Sequence, residues 1–130
     1  MILVDSSAWV EFLRATGSPV CNEVDRLLED DIAITDPVLM EVLAGARDER
    51  HLRDLRALLG RAQMLHCRPT DFETAAALYR RCRRGGDTIR RLIDCLIGAV
   101  AIREDVPLLH SDVDFEVLAR HTDLAIQRVS

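Results

Sequence analysis

The chain contains no apolar run near the roughly 18 residues needed to span a bilayer, so a helical membrane protein is excluded. Its four cysteines form no CxxC or CxxH pair, so the spacing signatures of zinc sites and disulfide frameworks are missing. Cys21, Cys67, Cys82 and Cys95 read instead as free thiols packed as small hydrophobes in a reducing compartment. Aromatics are scarce, with one Trp, one Tyr and three Phe, too few for ligand recognition dominated by ring stacking. Lysine is absent; all 17 basic residues are arginine. Internal repeats, low-complexity tracts and linkers are absent too. The opening MILVDSSAWV has no basic stretch ahead of its apolar residues and reaches an acid at residue 5, so it is not read as a secretory signal. The expected compartment is the cytoplasm.

The 130 residues, 48% of them hydrophobic, suit a single domain over 1–130 with one core, leaving no room for a second of ordinary size. The net charge of −5 by itself argues against a nucleic-acid binder. Its distribution argues otherwise. Residues 80–91 read RRCRRGGDTIRR, a local charge of +5, and the remainder therefore carries −10.

Short apolar runs alternate with helical periodicities along the whole chain. The run at residues 2–4 ends on Asp5 and reads as a buried strand, after which Ser6 and Ser7 are placed to cap a helix that Gly17 closes. A second helix follows Ser18-Pro19. A strand at 32–35 leads through Asp36-Pro37 into the helix VLMEVLAGA, and a charged helix carries Leu52, Leu55, Leu58 and Leu59. A third strand is expected at 63–66, then a capping box Thr70-Asp71-Phe72-Glu73 opening a helix that Gly85-Gly86 ends. Asp87 or Thr88 is expected to start the most apolar helix, with Ile89, Leu92, Ile93, Leu96, Ile97, Val100 and Ala101 on one stripe. A strand at 107–110, a helix from Asp112 and a last strand at 124–129 complete the chain. This alternation predicts an α/β fold: a three-layer domain with a mostly parallel central sheet of four to five strands flanked by helices.

In a parallel sheet, ligands bind beyond the carboxyl ends of the strands. Asp5 follows the first strand directly, and Asp112 and Asp114 follow the fourth after His110 and Ser111. Glu41 lies one turn into the helix leaving the second strand. Asp94 sits in IDCLIGAVAI, where an acid beside a buried stripe is costly unless something compensates it. A divalent cation does so, and oxygen-rich acidic sites favour Mg²⁺, with Mn²⁺ as a substitute. Each acid also has a structural reading: Asp5 as a helix cap, Glu41 as a surface glutamate, Asp112 or Asp114 as an N-cap. The arginine run likewise has two readings. It is either the solvated end of a helix, where positive charge suits the dipole, or a phosphate-gripping strip beside the acids.

Taken together, MILVDSSAWV, PVLMEVLAGA around Glu41, IDCLIGAVAI around Asp94 and LLHSDVDFEVLA around Asp112 resemble the PIN-domain ribonucleases, and within them the VapC toxins of type II toxin–antitoxin systems. The resemblance covers essentially the whole chain, with the four motifs in order. It implies a PIN-like fold and metal-dependent endoribonuclease activity, with Asp5, Glu41, Asp94 and Asp112 as the catalytic acids. Asp5, Asp94 and Asp112 would be metal ligands. Ser7 would orient a water at the metal, and Asp114 would support or cap. Arg83, Arg84, Arg90 and Arg91 are the expected RNA-binding residues. His110 stands where many members have a threonine. The resemblance further implies a VapB-type antitoxin, a homodimer, and a structured RNA substrate such as a tRNA or a ribosomal RNA loop.

Two rivals frame this reading. An aspartyl phosphatase of the haloacid-dehalogenase type needs a second acid two residues after the nucleophile, where this chain has Ser7, and a lysine, which it lacks. A non-catalytic module whose acids only bind metal or a partner is separated from a nuclease by RNA cleavage.

Overall fold

Four short strands lie side by side in the computed structural model, which describes residues 1–129. The elements run β1 (Ile2–Val4), α1 (Ser6–Leu13), α2 (Pro19–Leu27), β2 (Ile32–Thr35), α3 (Asp36–Ala44), α4 (Glu49–Leu59), β3 (Gln63–Leu65), α5 (Pro69–Arg84), α6 (Leu92–Glu104), β4 (Leu108–Leu109) and α7 (Val113–His121). The sheet order is β3-β2-β1-β4, and every pairing is parallel. Leu3 sits at its centre, in register with Ala33 on one side and Leu108 on the other.

This order decides where the helices go. From β1 to β2 to β3 the chain steps one way, and the crossover to β4 returns it past β1. Right-handed crossovers then put α1–α4 on one face and α5–α6 on the other. The direction reverses between β1 and β4, so the crevice of the sheet opens at the ends of those two strands.

So short a sheet is held by side chains more than by its ladder. A backbone hydrogen bond nets about 1 kcal/mol, whereas a fully buried aliphatic side chain contributes about 1.5–3. Leu3, Val4, Ile34, Leu108 and Leu109 from the sheet are all at most 1% exposed, as are Trp9, Val38, Ile97, Val100, Phe115 and Leu118 from the helices.

The structure moves several expected boundaries. Residues 124–129 make only an isolated parallel bridge from Ile126 to Leu108, not a fifth strand. The two-residue β4 offers little edge, and Pro107 before it has no N–H to extend the ladder. The apolar helix begins at Leu92 instead of Asp87 or Thr88. Asp87 is unavailable as a cap because its carboxylate accepts from His121 Nε2 at 2.7 Å, and Ile89, 2% exposed, plugs the core from the irregular segment before the helix. α1 is capped by Asp5, whose Oδ2 accepts from the Ser7 amide at 2.9 Å, and not by Ser6 or Ser7. The box opening α5 lies two residues earlier than expected: Pro69 takes the first helical position and Asp71 Oδ2 accepts from the Arg68 amide at 2.7 Å.

Asp71 has a second task. Arg103 on α6 grips it with a two-pronged fork, Nε to Oδ1 and Nη2 to Oδ2, both at 2.9 Å, and also donates to the His66 carbonyl at 2.8 Å. This ties α6 to the start of α5 and the exit of β3. The guanidinium holds the Asp71 carboxyl below the usual carboxylate range. Such a depressed acid stabilises above its unfolded value of about 3.9, and that contribution is lost as pH falls through the folded value. Urea unfolding at pH 7 should therefore show Arg103→Met destabilised by about 3 kcal/mol. Asp71→Asn should flatten the loss of stability below about pH 4 relative to wild type.

Candidate active site

Asp5 ends β1 at the point where the strand order reverses. Its Oδ2 accepts from both the amide and the hydroxyl of Ser7, at 2.9 and 2.6 Å. Its Oδ1 is buried and has no hydrogen-bond partner among the described residues. Burial pushes the carboxyl above its ordinary value, partly offset by the Ser7 bonds and reinforced by the charge of Glu41. Ser7 Oγ also accepts from the Ser111 amide at 2.9 Å, tying the loop after β4 to the end of β1.

Asp94 comes from the first turn of α6, whose N-terminus reaches the same edge because the helix runs antiparallel to the strands. It is 2% exposed, and its Oδ2 is likewise buried without a partner. Burial pushes it up to about 7, with the charge of Asp5 adding to the shift and Arg91 opposing it. Asp112 and Asp114 begin α7. One oxygen from each of Asp94, Asp112 and Asp114 can be chosen so that all lie within 4.8 Å of one another. The expected trio of metal ligands was Asp5, Asp94 and Asp112. The mutual cluster includes Asp114, while Asp5 lies close enough to shift Asp94.

The two acids of α7 divide their work differently from the expectation. Asp112 is the cap, its Oδ1 accepting from the Asp114 amide at 3.0 Å. Asp114 is 4% exposed and is held by Arg90, whose backbone N–H and Nε donate at 3.2 and 3.1 Å. Arg90 Nη2 reaches across to Asp112 Oδ1 at 2.9 Å.

Glu41 faces the same edge from α3. Ser6 donates to its Oε1 at 3.0 Å, and Arg91 pairs with its Oε2. The arginine run thus splits. Arg90 and Arg91 turn onto the acids, whereas Arg83 and Arg84 stay exposed in the last turn of α5, with Arg83 stacked 5.7 Å over the Tyr79 ring.

His110 fills the place between β4 and the acids. Its Nδ1 accepts from the Asp112 amide at 3.0 Å, which leaves Nε2 to donate to Glu116 at 3.1 Å. Ser6, read from the sequence only as a helix cap, and Ser111, not read as functional, acquire their roles at the site through these long-range bonds. The nearness of Ser6 to Asp5 was the only signal available.

The donor set suits a hard divalent cation. The two buried, partnerless oxygens belong to carboxylates, and the cluster contains no nitrogen or sulfur donor. Cys95 offers no thiolate, because burial pushes its thiol up to about 12, and both His110 nitrogens are already engaged.

Residues 2–121 match the family described as PIN domain. The chain is 46% identical over 128 residues to Ribonuclease VapC11 of Mycobacterium tuberculosis, covering 95% of this chain and 96% of that protein. The VapC ribonuclease Mb1587 of Mycobacterium bovis matches to the same extent. Among solved structures, VapBC2 of Rickettsia felis, bound to a DNA fragment from its promoter, superposes with a TM-score of 0.79 at 21% identity over 100% of both chains.

An acid whose folded pKa is raised stabilises fully below its unfolded value, and that contribution is lost as pH rises through the folded value. For Asp94 the window is about pH 4 to 7. In EDTA, Asp94→Asn should therefore melt higher than wild type at pH 8, by up to about 4 kcal/mol, and should show no such advantage at pH 4. Thermal unfolding at the two pH values reads the difference.

Proposed function

Since this chain belongs to the PIN-domain family and, by its 46% identity over 95% of its length, to the VapC ribonucleases within it, we propose that it is a Mg²⁺-dependent endoribonuclease and the toxin of a type II toxin–antitoxin system. Its reaction would be hydrolysis of phosphodiester bonds in a structured RNA such as a tRNA or ribosomal RNA. The observation that carries the proposal is the pair of buried carboxylate oxygens, Asp5 Oδ1 and Asp94 Oδ2, left without partners at the reversal point of the sheet.

Asp5, Asp94 and Asp112 would hold the ion, with Asp114 beside them and Mn²⁺ as a substitute. The ion would activate water and neutralise the scissile phosphate. The chain's own residues orient the parts. Ser7 fixes Asp5 Oδ2, so that Oδ1 alone points free. Ser6 and Arg91 hold Glu41 at the rim, where its carboxylate is placed to take a proton from an attacking water. Arg83 and Arg84, exposed on α5, with Arg91 nearer the acids, form the strip for RNA phosphates. This strip lets a chain of net charge −5 hold a polyanion.

The partner proposed for its control is a VapB-type antitoxin. In support, a groove of about 410 Å³ between α1, α3 and α4 is lined by Val10, Leu13, Val42 and Leu55 and includes Glu41, so a segment seated there would abut the site. A homodimer is supported by Met40, Phe72 and Leu92, each 59–61% exposed beside two adjoining apolar pockets that share Phe72, Ile93 and Leu96. None of the helices is long and apolar enough to cross a membrane, among the described residues. The cytoplasm is the proposed compartment.

Purified protein should cleave cellular RNA only with Mg²⁺ or Mn²⁺, and Asp5→Asn and Asp94→Asn should each reduce the rate by about a hundredfold or more while remaining folded. Cleavage surviving in both variants would refute the site; no cleavage by wild type would favour a binding module. Replacing Arg83 and Arg84 with Gln should lower the slope of log affinity against log salt by about 0.7–0.9 for each phosphate no longer neutralised, read by RNA anisotropy in EDTA.

A further inference from the structure

Arg90 differs from its neighbours in the arginine run because its donors converge on two acids of one helix. Its backbone N–H and Nε hold Asp114, and its Nη2 holds Asp112. Asp114 is nearly sealed, with 5% of its side chain exposed, and Arg90 closes it off from outside. The segment carrying Arg90 is irregular and bends at Arg90, is pinned inward by Ile89, and becomes α6 two residues later. Asp94 lies four residues downstream, in the first turn of that helix.

We infer that Arg90 is a positioning residue of the carboxylate site: it locks the start of α6 to the start of α7 and so sets Asp94 against Asp112 and Asp114, instead of gripping RNA. The inference rests on the nuclease reading above and assigns one of its expected RNA-binding residues a different task.

The bonding pattern carries it. Arg90 Nη2 and the Asp114 amide share Asp112 Oδ1, which fixes that carboxylate and leaves Oδ2 accepting from none of the described residues. Arg90 Nε and backbone N–H both converge on Asp114 Oδ2, so side chain and main chain are fixed against the same group. The planar guanidinium holds Nε and Nη2 at a fixed spacing, one facing each carboxylate; an ammonium, with its three donors on one nitrogen, does not reproduce that spacing. A single guanidinium does not cancel the site's attraction for a dication, since Asp5, Asp94, Asp112 and Asp114 meet there. Partners that orient metal ligands in this way typically matter by about 10–100-fold in metal affinity.

The test is a Mn²⁺ titration followed by electron paramagnetic resonance, on wild type, Arg90→Lys, Arg90→Gln, Asp114→Asn and the Arg90→Gln/Asp114→Asn double variant, with circular dichroism as the check on folding. Arg90→Lys keeps the charge and most of the stem, and so serves if the Gln variant fails to fold. Both Arg90 variants should bind Mn²⁺ about 10–100-fold more weakly. The double variant should lose less than the product of the two single losses, because both act through one clamp. RNA affinity of Arg90→Gln in EDTA should keep the wild-type salt slope. Unchanged or tighter Mn²⁺ binding in Arg90→Lys would overturn the inference, as would a salt slope lowered in Arg90→Gln. Wild type that binds no Mn²⁺ would remove the nuclease reading itself, and the inference with it.

Discussion

Asp5 and Asp94, two carboxylates buried at one edge of a small sheet, set the terms for everything around them. Both have lost their water and are pushed up in pKa by burial, Asp5 further by the charge of Glu41 and Asp94 further by that of Asp5. Helix starts offset part of that cost: Asp5 caps α1, Asp94 lies in the first turn of α6, and Asp112 caps α7. Backbone N–H groups and the positive ends of three helices thus converge on one anionic spot. Arg90 and Arg91 supply the remaining countercharge. These devices leave one oxygen unsatisfied on each of the two buried acids, and a dication is the partner that suits both.

The fold serves that convergence. The reversal of strand order between β1 and β4 brings residues 5 and 112 together, although more than a hundred positions separate them. The sheet needs few hydrogen bonds because its faces are packed with Leu, Val and Ile, and α6 is buried around most of its surface. Away from the site, Asp71 and Arg103 anchor the far end of α6, so the helix that presents Asp94 is held at both ends.

Charge is sorted in space as well as in sequence. The run at residues 80–91 contains six arginines; those of α5 are exposed at the helix end, whereas Arg90 and Arg91, also exposed, pair with Asp112, Asp114 and Glu41. A net-acidic chain can thereby present a basic strip beside a cluster of acids.

Periodicity and punctuation alone determined a great deal. The α/β class, the parallel strands, most of the helices and the candidate acids Asp5, Asp94 and Asp112 were legible, because strand-end acids and an acid in an apolar helix are local patterns; Glu41 was named mainly through the family resemblance. The caps of α1 and α5 were misplaced by a residue or two, since Ser, Thr and Asp all satisfy a first turn and only the three-dimensional path of the N–H groups chooses among them. The start of α6 was set too early because Asp87 reads as a cap until His121, 34 residues away, takes its carboxylate. The expected fifth strand shrank to one bridge because a strand exists only if a neighbour offers an edge. The division between Asp112 and Asp114, and between Arg83 with Arg84 and Arg90 with Arg91, was beyond any linear reading. The four acids were named by their neighbours in the chain; what each one does depends on which donor reaches it across the fold, and hydrogen bonds between residues 22 to 104 positions apart are decided only when the tertiary structure closes.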